Sequence, residues 1–213
     1  MIIKLVRHGE SQANITNFTR LSVADHLVPL TARGFEQARE VGAKLGSSYL
    51  QESLIYTSPF LRAKQTLSAI LEGAKISPEE VKVREDPRIR EVEHGYFDVP
   101  AQKAMIATYG HFYYRYQGGE SAADCYDRVS GFLESFVRSI QKTNSQQALI
   151  VTHGLALRIF VMRFLHLTVE QFDQIANPNN ADIVTLAPRD ILDAPMFTSG
   201  RWGVEGLRQY SKQ

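Results

Sequence analysis

Short β-branched runs alternate with helical apolar periods along this chain, and that alternation restricts its fold more than any other feature. Ile2-Ile3-Lys4-Leu5-Val6 reads as a buried strand, Leu54-Ile55-Tyr56 as a second and Val81-Lys82-Val83-Arg84 as an alternating third. Ala148-Leu149-Ile150-Val151-Thr152 is a fully apolar strand, and Ile183-Val184-Thr185-Leu186 is the last. Helices fall between them. Over residues 31–46, Thr31 supplies a cap, Phe35, Ala38, Val41 and Leu45 an apolar stripe, and Gly46 the stop. Ser58-Pro59 predicts a cap followed by proline at the first helical position, with the helix running to about Leu71 before Gly73. Ser121 opens a helix in which Cys125, Val129, Phe132, Phe136, Val137 and Ile140 recur at helical spacing. His153-Gly154 opens one that reaches about Leu165 and is apolar nearly all round, hence buried. The alternation predicts an α/β fold, a three-layer αβα sandwich with a mainly parallel sheet covered on both faces.

The 213 residues suit a single domain, 1–213, with no repeat and no linker-like tract. Residues 86–119 read as an irregular, lid-like insertion, too aromatic for a spacer, and about 188–213 as an irregular C-terminal tail. A formal net charge of +1 gives no global field for nucleic acid or a membrane, so any attraction for an anion must be local. The single cysteine, Cys125, excludes an intramolecular disulfide and zinc-type cysteine spacing. Met1–Val6 is too short for a signal core or a membrane span, and the expectation is a soluble, cytoplasmic protein.

Two strand-to-helix turns carry histidine followed by glycine: Val6-Arg7-His8-Gly9 and Val151-Thr152-His153-Gly154. Ligands bind at the C-terminal ends of parallel strands, and the helix after His153 aims its free N–H groups at the same place. Arg62, near the start of its helix, can face that crevice too. Each of these residues taken singly reads as structural. Two arginines and two histidines at strand and helix ends together describe an anion pocket of phosphoryl size. His26, His94 and His111 lie in loops as weaker candidates for the pocket mouth, and His166 sits in an apolar helical run as a structural residue. His8 and Glu10 lack the spacing of a zinc pair, and no metal is expected. Tyr96, Phe97, Phe112, Tyr113, Tyr114 and Tyr116 either wall the crevice or pack the insertion onto the sheet.

Leu5-Val6-Arg7-His8-Gly9-Glu10-Ser11, with Asn14, resembles the signature of the histidine phosphatase superfamily, the phosphoglycerate mutase-like proteins. The resemblance continues in order through Val28–Ala38, Ser58-Pro59-Phe60-Leu61-Arg62 with Thr66, Ile89-Arg90-Glu91 with Gly95 and Phe97, Gly119-Glu120-Ser121 and Val151–Gly154, and it spans roughly residues 2–186. The stretches Asp86–Glu91, His111–Tyr116 and Gly119–Asp124 are most similar to the fungal and plant broad-range acid phosphatases.

The resemblance implies the phosphoglycerate mutase-like fold and a cofactor-independent phosphomonoesterase. His8 would be the nucleophile that is transiently phosphorylated. Arg7, Arg62 and His153 would hold the phosphoryl oxygens, with Asn14 and the Gly154 backbone as further donors. Glu91 would protonate the leaving oxygen and then deprotonate water, with Glu93 as its competitor by spacing. The partner implied is a small-molecule phosphate ester, and a homodimer is compatible with the reading. The alternative is a phosphoglycerate mutase, which in this family carries a longer insertion with a paired-arginine segment. Here Pro100–Gly119 is short, its cations are Lys103 and Arg115, and Leu155 and Ala156 follow Gly154. A non-catalytic phosphoprotein-binding module is disfavoured by retention of both histidines, both arginines and a glutamate.

Overall fold

Strand β1, Ile2–Arg7, sends alternate side chains to opposite faces, and both faces are buried. The computed structural model in which this is seen describes residues 1–16, 23–95 and 102–210. After a short helix α1, Gln12–Ile15, come α2, Ala32–Glu52, and β2, Ser53–Thr57. Next are α3, Leu61–Gly73, β3, Val83–Glu85, α4, Gln102–Tyr109, and α5, Ala122–Thr143. The chain continues through β4, Gln147–Thr152, α6, Gly154–Leu165, α7, Val169–Asp173, and β5, Ile183–Pro188. It closes with β6, Phe197–Ser199, and β7, Trp202–Glu205. The sheet runs β3-β2-β4-β1-β5-β7-β6. β3, β2, β4 and β1 are mutually parallel, and β5, β7 and β6 extend the β1 edge antiparallel.

Ile3, Leu5, Ala148 and Ile150 face α5 and α6, where Phe132, Phe136 and Phe160 fill one layer boundary. Val6, Leu149 and Val151 face α2 and α3, against Val41, Leu67 and Ile70. Burial on both faces explains why these strands read as continuous apolar runs. Thr31 caps α2 through Gly34 N–H, and Gly46, at φ 75, kinks that helix where the apolar stripe was expected to stop. Ser121 caps α5 in a reciprocal capping box with Asp124.

Three expectations need correction. Ser58 does not cap α3; Phe60 occupies that position, and the Ser58 hydroxyl is committed elsewhere. The stretch 86–119 is not wholly irregular, since α4 lies within it. None of that helix is buried, so no apolar stripe could announce it. The tail after Pro188 is not structureless either, because β6 and β7 form a hairpin on the outer edge of β5. Those strands are too short for periodicity, and their stability comes from sheet pairing and from Val204, which is fully buried. Among the described residues no helix is long and apolar enough to cross a membrane.

Candidate active site

Parallel pairing of β1 with β4 sets Arg7 opposite Thr152, so the residues that follow, His8 and His153, emerge side by side with ring centroids 5.2 Å apart. The His8 ring is nearly inaccessible, and its Nδ1 lies 2.8 Å from the Gly9 carbonyl oxygen. A carbonyl only accepts, so Nδ1 carries the proton and Nε2 keeps the lone pair. Burial, then Arg62 and Arg7, push the His8 pKa down to about 3, with the Gly9 carbonyl pulling weakly the other way. The imidazole is therefore neutral near pH 7.

Gly9 allows the tight approach this requires. A Cβ there would lie 2.4 Å from Gly34 O, at the capped start of α2. The Gly9 N–H donates to Thr66 Oγ1, which itself donates to the Arg62 carbonyl, tying the turn to α3.

Arg62 is the second residue of α3 and is 4% exposed. Its guanidinium donates to the Asp25 carboxylate at 2.9 Å and to the Asp25 carbonyl at 2.7 Å. It also packs over the Phe60 ring, which in turn lies against His153, with ring centroids 5.1 Å apart. Arg7 donates to the Pro178 carbonyl at 2.6 Å, and its Nε is buried with no partner among the described residues. Burial lowers the Arg7 pKa against opposing pulls from Glu91 and Asp182.

Glu91 follows a 3-10 turn at Pro87–Ile89 and brings its carboxylate to the N-terminus of α6. There the Leu155 and Ala156 N–H groups, free at the helix end, donate to it at 3.4 and 3.3 Å. Glu93 differs. It is exposed and pairs with Arg90 at 3.6 Å. The backbone carrying Glu91 is gripped from α5: Arg128 donates to the carbonyls of Arg88 and Arg90 and makes two bonds to Glu120. Glu120 also receives Arg90, and its N–H donates to the Glu93 carbonyl.

A cavity of about 360 Å³ is walled by Arg7, His8, Asn14, Arg62 and Glu91, with Glu93 and His94 also on its lining. His153 and Gly154 are not on that wall. His153 is fully buried beside His8, its Nε2 2.7 Å from Ser58 Oγ and its Nδ1 without a partner among the described residues. Burial, then Arg62 and His8, hold its pKa well below the ordinary histidine value. A larger cleft of about 840 Å³ touches Arg7 from the other side but contains neither histidine and mixes both charge signs.

Asn14 accepts at Oδ1 from Ser11 and Asn180, which leaves Nδ2 as its donor end. His26 lies against Phe60, His94 against Tyr116, His111 is exposed, and His166 forms the left-handed C-cap of α6. Of the aromatic stretch, Tyr96 and Phe97 lie outside the described residues. Phe112 and Tyr114 are buried, Phe112 against Phe172, and Tyr113 is exposed. Along this stretch, the described residues support packing of the insertion over a cavity wall.

A glucosyl-3-phosphoglycerate phosphatase from a mycobacterium, solved with VO3, shares the fold: the TM-score is 0.71 at 21% identity, over 96% of this chain and 97% of that one. The sequence profile of the histidine phosphatase superfamily, branch 1, matches residues 3–191. The chain belongs to that superfamily. A phosphoglycerate mutase-like protein of Arabidopsis thaliana is 40% identical over 200 residues, which cover 85% of this chain and 63% of the relative. This chain thus spans less than two thirds of that relative's length. A broad-range acid phosphatase of Saccharomyces cerevisiae is 25% identical over 87% of this chain and 84% of its own length. Relatives in that superfamily are named as phosphatases and as phosphoglycerate mutases.

Several site residues escaped the sequence reading. Asp25, Ser58 as the His153 partner, and Asn180, which donates to the His8 carbonyl, belong to contacts between distant segments. Glu120 stood in a recognised motif without a role, and its pairing with Arg128 supplies one. The only sequence signal for Asn180 was the turn-rich run Asn177-Pro178-Asn179-Asn180 just before β5.

Proposed function

We propose that this chain hydrolyses small phosphomonoesters through a phosphohistidine on His8, without a metal or cofactor. The observation that carries the reading is the His8 ring: Nδ1 tied to Gly9, a neutral imidazole, and a cavity shared with two guanidinium groups. Nε2 attacks phosphorus as a neutral lone pair, with no prior deprotonation. Arg7, Arg62 and the Asn14 amide take the equatorial oxygens and offset their growing charge. We assign His153 to the same oxygens as a neutral donor beside His8, and the α6 amides from Gly154 onward to the anionic side of the site. Glu91 gives its proton to the leaving oxygen, then takes one from the water that attacks phosphohistidine.

Hydrolysis is preferred to mutase chemistry because the insertion brings no cation to the cavity among the described residues. Arg115 is two-thirds exposed and pairs with Asp124, and Lys103 lies on the exposed α4.

The test is phosphate release from p-nitrophenyl phosphate by wild type and His8→Ala, with excess chelator and with or without bisphosphoglycerate. The expected result is turnover that survives chelator, needs no bisphosphate and falls by orders of magnitude in the variant. Activity restored only by added metal, or unchanged in His8→Ala, would refute the reading.

A further inference from the structure

The segment after β7 lies beyond the family match, which ends at residue 191. Gly206, at φ 87, turns the chain back across the sheet edge, and a Cβ there would fall 2.3 Å from Ile183 O, so glycine is required. Leu207 anchors the turn in the core. The chain then runs antiparallel beside residues 174–176: Ala176 N–H donates to the Arg208 carbonyl at 2.8 Å, and Tyr210 N–H to the Gln174 carbonyl at 3.0 Å. From this rail the Arg208 guanidinium reaches forward. It donates to Asn179 Oδ1 at 2.8 Å and to the Asn177 carbonyl at 3.2 Å, and lies 3.9 Å from the Asp182 carboxylate.

The stretch it holds, 177–182, is the loop that grips the nucleophile turn. Pro178 O receives Arg7, and Asp182 O receives the Arg7 N–H. Ala181 N–H donates to the Arg7 and His8 carbonyls, and Asn180 donates to the His8 carbonyl and to Asn14. Ala181 sits at φ 61, a left-handed conformation that costs a non-glycine residue energy and persists only where neighbours impose it. Among the described residues Arg7 forms no ion pair within 4 Å, so this loop is its principal tether.

We propose that Arg208 is a positioning residue for phosphoryl transfer: it holds loop 177–182 in the strained form that sets Arg7 and His8. The proposal rests on the assignment of His8 as nucleophile. Arg208 acts through the loop and touches no reacting atom. About half its side chain is exposed, so its removal leaves the core intact.

The experiment compares wild type, Arg208→Ala and Arg208→Lys. Its readouts are kcat and KM with p-nitrophenyl phosphate, the Kd of vanadate, thermal melting, and amide hydrogen exchange of the peptide spanning 176–182. Arg208→Ala is expected to weaken vanadate and raise KM about tenfold, within the range that an ångström of misplacement can produce. Exchange over 176–182 should quicken while melting barely changes. Arg208→Lys should recover part of the loss through one remaining donor. Unchanged exchange and unchanged vanadate affinity in Arg208→Ala would overturn the proposal, as would a loss that tracks a lowered melting point and faster exchange throughout. Failure of wild type to turn over or bind vanadate would refute the phosphatase reading instead. In that case exchange over 176–182 still decides whether Arg208 braces the loop.

Discussion

Arg62 donates to the Asp25 carboxylate across 2.9 Å on the wall of the cavity that holds His8. The arginine is almost inaccessible, whereas a third of the Asp25 side chain meets solvent, so the aspartate is the partner that can give way. On the proposed function, an incoming phosphoryl group would compete with that carboxylate for the same guanidinium. Asp25→Asn keeps the shape and removes the competing charge. A partly exposed pair of this kind is worth roughly 1 kcal/mol, so vanadate should bind about fivefold tighter. Calorimetric titration of both proteins measures this. Weaker binding in the variant would mean that Asp25 braces Arg62 for the ligand.

The pH dependence follows from His8. Its folded-state pKa of about 3 lies below the ordinary 6.5, so between those values the unfolded chain holds a proton that the folded chain does not. The stability linked to this group is complete above 6.5 and is lost as pH falls toward about 3. His8→Asn should therefore lose less stability than wild type between pH 7 and pH 4.5 in urea unfolding. His153, depressed in the same direction, keeps the difference partial. Phosphorylation of the enzyme should likewise show no acid limb near 6.5. A limb there would mean that the nucleophile titrates as an ordinary histidine.

Glu91 and Glu93 separate by leaving group. A general acid matters most when the departing oxygen is strongly basic, and it contributes on the order of 10²–10⁴-fold. Glu91→Gln should cripple phosphorylation by an alkyl phosphate, spare much of it with p-nitrophenyl phosphate, and let phosphoenzyme accumulate with the aryl ester. Glu93→Gln should do neither. Glu120→Gln, which weakens the Arg128 grip on the Glu91 backbone, should give a milder copy of the Glu91 pattern, about tenfold on the alkyl ester. Single-turnover kinetics on the three variants checks this. Equal losses on both esters in Glu91→Gln would put the proton elsewhere.

The elements that position the site were legible because they obey local rules. Strands buried on both faces read as apolar runs, Thr31 and Ser121 capped the helices they were expected to cap, and His-Gly turns marked the strand ends. Arg7, His8, Asn14, Arg62 and Glu91 were all named from sequence, and all line one cavity. His153 shows the limit. Its place at the end of β4 was legible, but its burial behind His8 depends on Ser58 and Phe60 arriving from another strand end. The hairpin β6–β7 and the grip of Arg208 were hidden for the same reason, since short edge strands and surface arginines take their meaning from distant partners.

The most direct test of the account is to find the phosphate. Wild-type protein mixed with p-nitrophenyl phosphate carrying a labelled phosphoryl group, stopped within one turnover by a quench that preserves phosphohistidine and then digested, should yield one acid-labile, base-stable phosphopeptide containing His8. His8→Ala should yield none while still binding vanadate. Label on His153 would reverse the two histidine roles, and turnover with no phosphoenzyme at all would contradict the mechanism.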